Sequence, residues 1–461
     1  MRLPRAPLIN RDYARLWYGQ AISSLGDYAF NTTLILWMAT DLGARKPWAP
    51  EAVSGVMLAA GAAVLLTGPL AGVFVDRWNR RSTMLGTEVV RGALVCLLTA
   101  LFFVPIRALP IWTWLTAVYL AVFALNAVGQ FFGPARFATI GSVVPDKEDR
   151  ARAAGIGQAT SATVSMLGPP LAAPLLFTAG AQWALLFDAA TYAVSYFAIR
   201  SIRAERETSD GQQASGGQAS AHSRPGRRRG LWGEFSDGLR LFAGNRLLVA
   251  VLLVALISQL STGALNALNV FFVTRNLHVS GSLYGYLGTA LGVGTIVGAL
   301  FGGRVMRRLG MRATISAGAL LGGVFIIAYS RQSVFVAGLA MFFLLAIPFG
   351  VINTALTPLL LGAVPKEYMG RMMAVFNPVL QLGSMLSVVA AGWIAGSVLR
   401  NFSGTFAGLR FGSVDVIFAG SGVLMIAAGG CAAFAFRPGV THRLDSPEPA
   451  APDAPTAATS R

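Results

Sequence analysis

The chain has 461 residues, of which 54% are hydrophobic and 12% charged, and it carries a formal net charge of +17. Soluble domains average roughly 25% charged residues, so this balance excludes an ordinary soluble enzyme. In a soluble domain such a basic excess would suggest nucleic-acid binding; in so apolar a chain it marks membrane topology.

A bilayer core needs about 20 mostly apolar residues per helix. Six such spans are expected in the first half, at 16–40, 53–75, 83–104, 111–133, 154–178 and 182–199. Six more follow at 247–273, 283–303, 313–330, 334–361, 373–398 and 413–436. Backbone groups in lipid must be satisfied within their own segment, and the runs lack barrel-strand alternation, so all are read as helices. Most of the 37 Lys and Arg residues fall on one side of this arrangement. They precede span 1, fill the 2–3, 4–5, 8–9 and 10–11 links, and crowd the segment after span 6. The other side holds Arg45, Lys46, Arg107, Arg275, Arg331, Arg400 and Arg410. By the positive-inside rule both termini are cytoplasmic. No cleavable signal is evident, because the first apolar run is too long for an h-region. Cys96 and Cys431 lie in spans of opposite halves and make no disulfide framework.

The expected fold is an all-α integral membrane protein with twelve transmembrane helices in two pseudo-symmetric six-helix bundles. The first bundle takes residues 1–200 and the second 246–437. Between them, 201–245 is a cytoplasmic linker ending in a short amphipathic helix, with Leu231, Trp232, Phe235, Leu239 and Phe242 at helical spacing. Residues 438–461 form a disordered cytoplasmic tail. The halves are related in sequence. At an offset of 235, Asn10-Arg11 matches Asn245-Arg246 and Ile22-Ser23 matches Ile257-Ser258. Two related bundles place a site between them, near the midplane.

Charges inside the spans are few, costly and candidates for function. Asp27 lies roughly 18 Å into the membrane from Arg15 at the helical rise, flanked by Asn31, Thr32 and Thr33. A proton-coupled carrier needs a carboxylate whose proton affinity changes as its surroundings open and close, and Asp27 is the first candidate. Glu88 and Arg91 share a face of span 3 as an i,i+3 pair, readable as a static bridge or as partners exchanged during a cycle. Asp188 in span 6 is the second proton candidate. Asp415, near the outer end of span 12, is expected to face water. Gln20, Asn31, Asn126, Gln130, Gln259, Asn266, Asn353, Asn377 and Gln381 are candidate cavity lining, with aromatics such as Phe30, Trp37, Phe132 and Tyr192. Trp112, Trp114 and Trp183 read as interface belt residues. The histidines His222, His278 and His442 lie outside the spans, and no metal spacing, paired-Asp motif or phosphate loop is present. No enzyme, cofactor or nucleic-acid role is expected.

Gly72, Asp76, Arg77, Arg80 and Arg81 form a charged turn between spans 2 and 3. Gly303, Arg307, Arg308, Gly310 and Arg312 form a degraded copy between spans 8 and 9, in which Arg307 stands where the acid would be. The first turn resembles the cytoplasmic-loop signature of the major facilitator superfamily, with Asn79 in place of its second glycine. The opening 10–17 and 23–27, and Phe131 to Arg136, are similar to the branch containing macrolide-efflux and enterobactin-exporter type transporters. Gly155, Gly168, Pro169, Ala172 and Ala173 resemble the superfamily's antiporter motif on helix 5, with Val164 and the two alanines replacing glycines. The resemblance implies alternating access, with Asp76 meeting the N-terminus of helix 11 near Gly370-Arg371 to lock the cytoplasmic side when the cavity faces outward. It also implies export. The expected partners are a hydrophobic or amphipathic small molecule, protons and the lipid bilayer, and the chain is expected to act as a monomer in a bacterial inner membrane. Alternatives are a dedicated exporter of a siderophore, lipid or self-made antibiotic, and a transporter-like receptor without flux.

Overall fold

The computed structural model describes residues 8–44, 46–75, 77–202, 239–240, 246–363, 369–400, 402–406 and 409–435. The expected amphipathic helix at the end of the linker and the expected tail fall outside these residues, save for 239–240. The first half contains α1 (Arg11–Trp37), α2 (Ala49–Val75), α3 (Arg80–Phe102), α4 (Ile111–Val143), α5 (Lys147–Ala179) and α6 (Ala181–Arg200). The second contains α7 (Arg246–Arg275), α8 (Tyr284–Ser330), α9 (Phe335–Ala363), α10 (Met369–Trp393) and α11 (Ser413–Ala435).

Local chemistry sets several of the helix starts. Asn10 accepts the Tyr13 N–H at 2.7 Å, Asn79 accepts the Ser82 N–H at 3.0 Å, and Asp146 accepts the Glu148 N–H at 3.1 Å. Each satisfies a donor that the first helical turn leaves free. Expected spans 8 and 9 run together in α8, which is broken at Gly310 by backbone angles of φ 77° and ψ 163°. Only glycine adopts that region readily. The charged turn there is thus a sharp corner rather than an open loop. Among the described residues nine helices are long and apolar enough to cross a membrane. Neither α1 nor α6 is among them; α1 carries Asp27, and α6 carries Asp188 and Tyr192, of the site below.

One departure from an all-helical chain is a two-stranded antiparallel hairpin, β1 (Ser403–Phe406) and β2 (Leu409–Gly412), ahead of α11. Its anchor corrects the expectation for Asp415. That residue is buried, accepts the Gly412 N–H at 2.8 Å and accepts a further bond from Asn276 Nδ2. A carboxylate that ties down a turn and a neighbouring helix end is structural, not merely hydrated.

Neighbour relations repeat between the halves. Helix α1 packs on α5 and α6, and α7 on α10 and α11; α2 packs on α4, and α8 on α9. Contact between the halves runs through α5 with α8 and α2 with α10. The core follows the same plan. A single buried cluster joins Leu34, Trp37, Val53 and Trp114 of the first half to Phe271, Phe272, Tyr329 and Phe418 of the second. Trp114 is therefore a core residue and not a belt residue, whereas Trp112 and Trp183 are exposed. At the face carrying the 77–80 turn, hereafter the basic face, each half keeps its own core. Leu16, Val75, Met84 and Phe132 pack in one, and Leu248, Leu359, Met372 and Phe376 in the other. The halves are joined at the end away from the basic face.

Candidate functional site

The intramembrane charges of the first half converge from three helices. Arg91 of α3 reaches Asp27 of α1, with Nη2 to Oδ1 at 2.6 Å. The Tyr192 hydroxyl of α6 donates to the same oxygen at 2.5 Å, and the Arg91 guanidinium carbon lies 4.5 Å from the Tyr192 ring centroid. A charge-assisted pair stacked on an aromatic face is a favourable way to hold a guanidinium away from water. The i,i+3 bridge expected within α3 does not form. Arg91 leaves its own helix for Asp27, and Glu88 instead accepts the Ser195 hydroxyl of α6 at 2.9 Å.

Asp188 joins this cluster through a steric opening. Gly26 precedes Asp27, and a Cβ at position 26 would overlap Thr191 Oγ1 and Asp188 Oδ1. Only a glycine lets α1 approach α6 closely enough to bring the two acids together. Asp188 and Glu88 are fully buried, with 0% and 2% exposure, while the Asp27 side chain is 33% exposed. Oδ2 of Asp188 and Oε2 of Glu88 are buried and accept no hydrogen bond among the described residues. Thr191, Ser195 and Gly26 were not anticipated. The signal was available, since Asp188, Thr191, Tyr192 and Ser195 recur at i, i+3, i+4 and i+7 and so line one face of α6.

A second arrangement links the halves. The helix 5 motif residues Ala172 and Ala173 are buried, and a Cβ on Gly168 would lie 2.5 Å from the Tyr28 Cβ, so this face of α5 packs tightly on α1. The opposite face meets α8: a Cβ on Gly288 would lie 2.9 Å from Pro169 Cγ, and one on Gly292 would lie 2.9 Å from Met166 Cβ. Proline supplies no amide hydrogen, so Pro170 leaves the carbonyl four residues back, that of Met166, without its helical donor. Thr289 of α8 fills the gap, donating to the Met166 oxygen at 3.0 Å. Gly155 lies nearer the basic face with nothing among the described residues within 4 Å of its would-be Cβ. On the other side Ser397 donates to Glu51 at 2.5 Å, and Gln381 of α10 lies against Gly61 of α2.

Asp76 lies outside the described residues, as does the side chain of Arg371. Among the described residues nothing packs within 4 Å of a Cβ on Gly72, Arg77 is exposed, and Arg81 donates to the Arg200 carbonyl at 2.6 Å. Arg80 is also engaged. In the second copy Arg307 and Arg308 are exposed, Arg307 Nη1 lies near Gly303, and Arg312 donates to the Ala433 carbonyl.

The proposed lining residues divide. Phe30 and Trp37 are buried in the shared core and Phe132 in the first half's own, which removes them from any cavity wall. Apolar side chains at those positions are more stable packed than wet. Asn31 and Asn126 donate back to Asp27 and Val122 carbonyls of their own helices. Gln20 accepts from Arg136 at 2.6 Å. Asn266, Asn353 and Asn377 are exposed, and Gln130 and Gln259 are half-buried. Among the described residues no group of His, Cys, Asp and Glu side chains could hold a metal ion.

Two joined halves of long apolar helices, with an ionisable cluster between the helices of the first, have the architecture of a membrane transporter. The chain belongs to the Major Facilitator Superfamily, whose model matches residues 16–260 and 251–460. It is 21% identical to the uncharacterized MFS-type transporter YkuC of Bacillus subtilis (strain 168), covering 90% of each chain. It is 31% identical to a Bacillus subtilis (strain 168) protein named as a bacilysin exporter, BacE, over 41% of this chain and 43% of that one. Macrolide efflux protein A of Streptococcus pyogenes is 26% identical over 35% and 37%. Among solved structures, a bacterial homologue of the iron transporter ferroportin in an inward-facing state superposes with a TM-score of 0.70 at 13% identity, covering 93% of this chain and 99% of that one. The nucleoside transporter NupG gives 0.64 at 12% identity over 93% and 100%.

Proposed function

We propose that this transporter exports hydrophobic or amphipathic small molecules in exchange for protons, by alternating access, as a monomer in a bacterial inner membrane with its basic face in the cytoplasm. The observation that carries the reading is the Asp27–Arg91–Tyr192 cluster with Glu88 and Asp188 beside it. Buried acids outnumbering the available cation are costly unless they bind and release protons. Similarity to a macrolide efflux protein and an exporter supports the outward direction. On this orientation the joined end is extracytoplasmic, so the described conformation opens to the cytoplasm and is the one that loads cargo. The expected lock of Asp76 on Gly370-Arg371 belongs to the opposite conformation.

The test is proton release. Substrate added to proteoliposomes should release protons from the wild-type protein, and Asp27→Asn should abolish that release while substrate still binds. No release from the wild type would overturn antiport. Export of one dedicated metabolite is the second reading, favoured by the 31% identity to BacE. A panel of compounds screened by thermal shift separates the two, because a dedicated exporter responds to one chemical class only.

A further inference from the structure

Charge counting within the cluster assigns different tasks to its three acids. One guanidinium, Arg91, faces Asp27, Glu88 and Asp188. From α6, Tyr192, Thr191 and Ser195 complete the surroundings as hydroxyl groups. The other elements packed on α1, α3 and α6 bring no counter-charge. Within α4 the titratable side chains are Tyr119, which donates to the Ala52 carbonyl, and Arg136, which donates to Gln20. The charges of α5 all lie in its first turns, at 147–152.

Asp27 takes the direct contact with the cation. Its Oδ1 accepts both the Arg91 and the Tyr192 bonds, and it is the most exposed of the three. Glu88 accepts only from Ser195, and Asp188 only a 3.4 Å contact from Thr191, whose hydroxyl proton already serves the Asp188 backbone carbonyl at 2.7 Å. Each leaves a buried oxygen with no donor among the described residues. An ionised carboxylate in that position would carry an uncompensated charge, which is far costlier than a neutral carboxyl group.

We propose that in this conformation Asp27 is the fixed anion paired with Arg91, while Glu88 and Asp188 each hold a proton. The proposal rests on the antiport reading only for its last step, in which these are the protons exchanged for cargo. Arg91 is placed to trigger that release. Glu88 lies one turn away on the same helix, so a guanidinium freed from Asp27 can move to Glu88, stabilise its anion and expel its proton to the open side.

Infrared difference spectroscopy on the purified full-length protein in nanodiscs at neutral pH tests the assignment. Glu88→Gln and Asp188→Asn should each remove one protonated-carboxyl C=O band; Asp27→Asn, made in the Glu88→Gln background so that the freed Arg91 has no second acid on its own helix, should remove a carboxylate band and no protonated one. Loss of carboxylate bands at 88 and 188, or of a protonated band at 27, overturns the proposal. Thermal unfolding gives an independent readout that does not depend on band assignment. The amides at 88 and 188 mimic the neutral acid and should leave Tm near that of the wild type, while adding Asp27→Asn to Glu88→Gln strands Arg91 and should lower it. Equal losses at all three positions overturn the proposal. Proton release in vesicles is read separately. Protonated carboxyls without release leave this assignment standing and sink antiport; release with ionised Glu88 and Asp188 does the reverse.

Discussion

Gly285 of α8 sits so close to Pro169 of α5 that a Cβ on it would lie 2.5 Å from the Pro169 carbonyl carbon. No side chain can occupy that space unless the two halves separate. Gly285→Ala should therefore weaken the closed seam by about 1–3 kcal/mol, the usual cost of overpacking. Spin labels on Gln182 and Ser282 should report a longer distance in the variant. An unchanged distance would show that α8 absorbs the methyl group by itself.

The second seam contact is polar. Ser397 donates to Glu51 across the halves at 2.5 Å, at a site open to water, where such bonds contribute modestly. Glu51→Ala should speed thiol labelling of a cysteine placed at Ser54, which is buried against Gly392 in the closed seam. Glu51→Gln retains an acceptor and should label at nearly the wild-type rate.

Asp415 holds the 403–412 hairpin and the end of α7 together through Gly412 and Asn276. Asn276→Ala removes one donor from a buried carboxylate and should cost about 1–3 kcal/mol. Hydrogen exchange in β1 and β2 should rise, and Tm should fall. Exchange at wild-type rates would mean that the Gly412 bond alone anchors the hairpin.

The corner at Gly310 makes a backbone demand. Its φ of 77° with ψ of 163° is nearly closed to residues with a Cβ. Gly310→Ala should destabilise the second half by about 1–3 kcal/mol, visible as a lower Tm, while Arg308→Ala two residues earlier on the exposed surface should have no such effect.

Much of the architecture is written in composition and spacing. Long apolar runs separated by charged turns gave the helix positions, because lipid leaves the backbone no alternative to internal hydrogen bonds. The Asn10, Asn79 and Asp146 caps are likewise visible as polar residues just ahead of those runs. Asp27, Glu88, Arg91 and Asp188 stood out because each is an expensive residue in its setting. Their pairing was not legible. Whether Arg91 bonds Glu88 three residues away or Asp27 on another helix depends on the distance between α1, α3 and α6. That distance is set by Gly26, an absence of atoms that a sequence shows only as one small residue among many. Trp114 and Asp415 were misjudged for a related reason. Both lie near helix ends where solvent is expected, but the shared core and the hairpin extend far enough to cover them.

The Met166 carbonyl, freed by Pro170 and taken up by Thr289, bears on the speed of the transport cycle. A seam closed by interlocking side chains alone would have to unpack before it moved. This bond instead joins an acceptor and a donor that water can serve equally well, since exchanging a protein partner for water changes the free energy little. When the seam opens, each group can gain a water molecule as it loses its partner, and the reverse happens on closing. Proline thus acts here less as a kink than as a means of keeping an acceptor available, so that the seam can be specific in register and still quick to part.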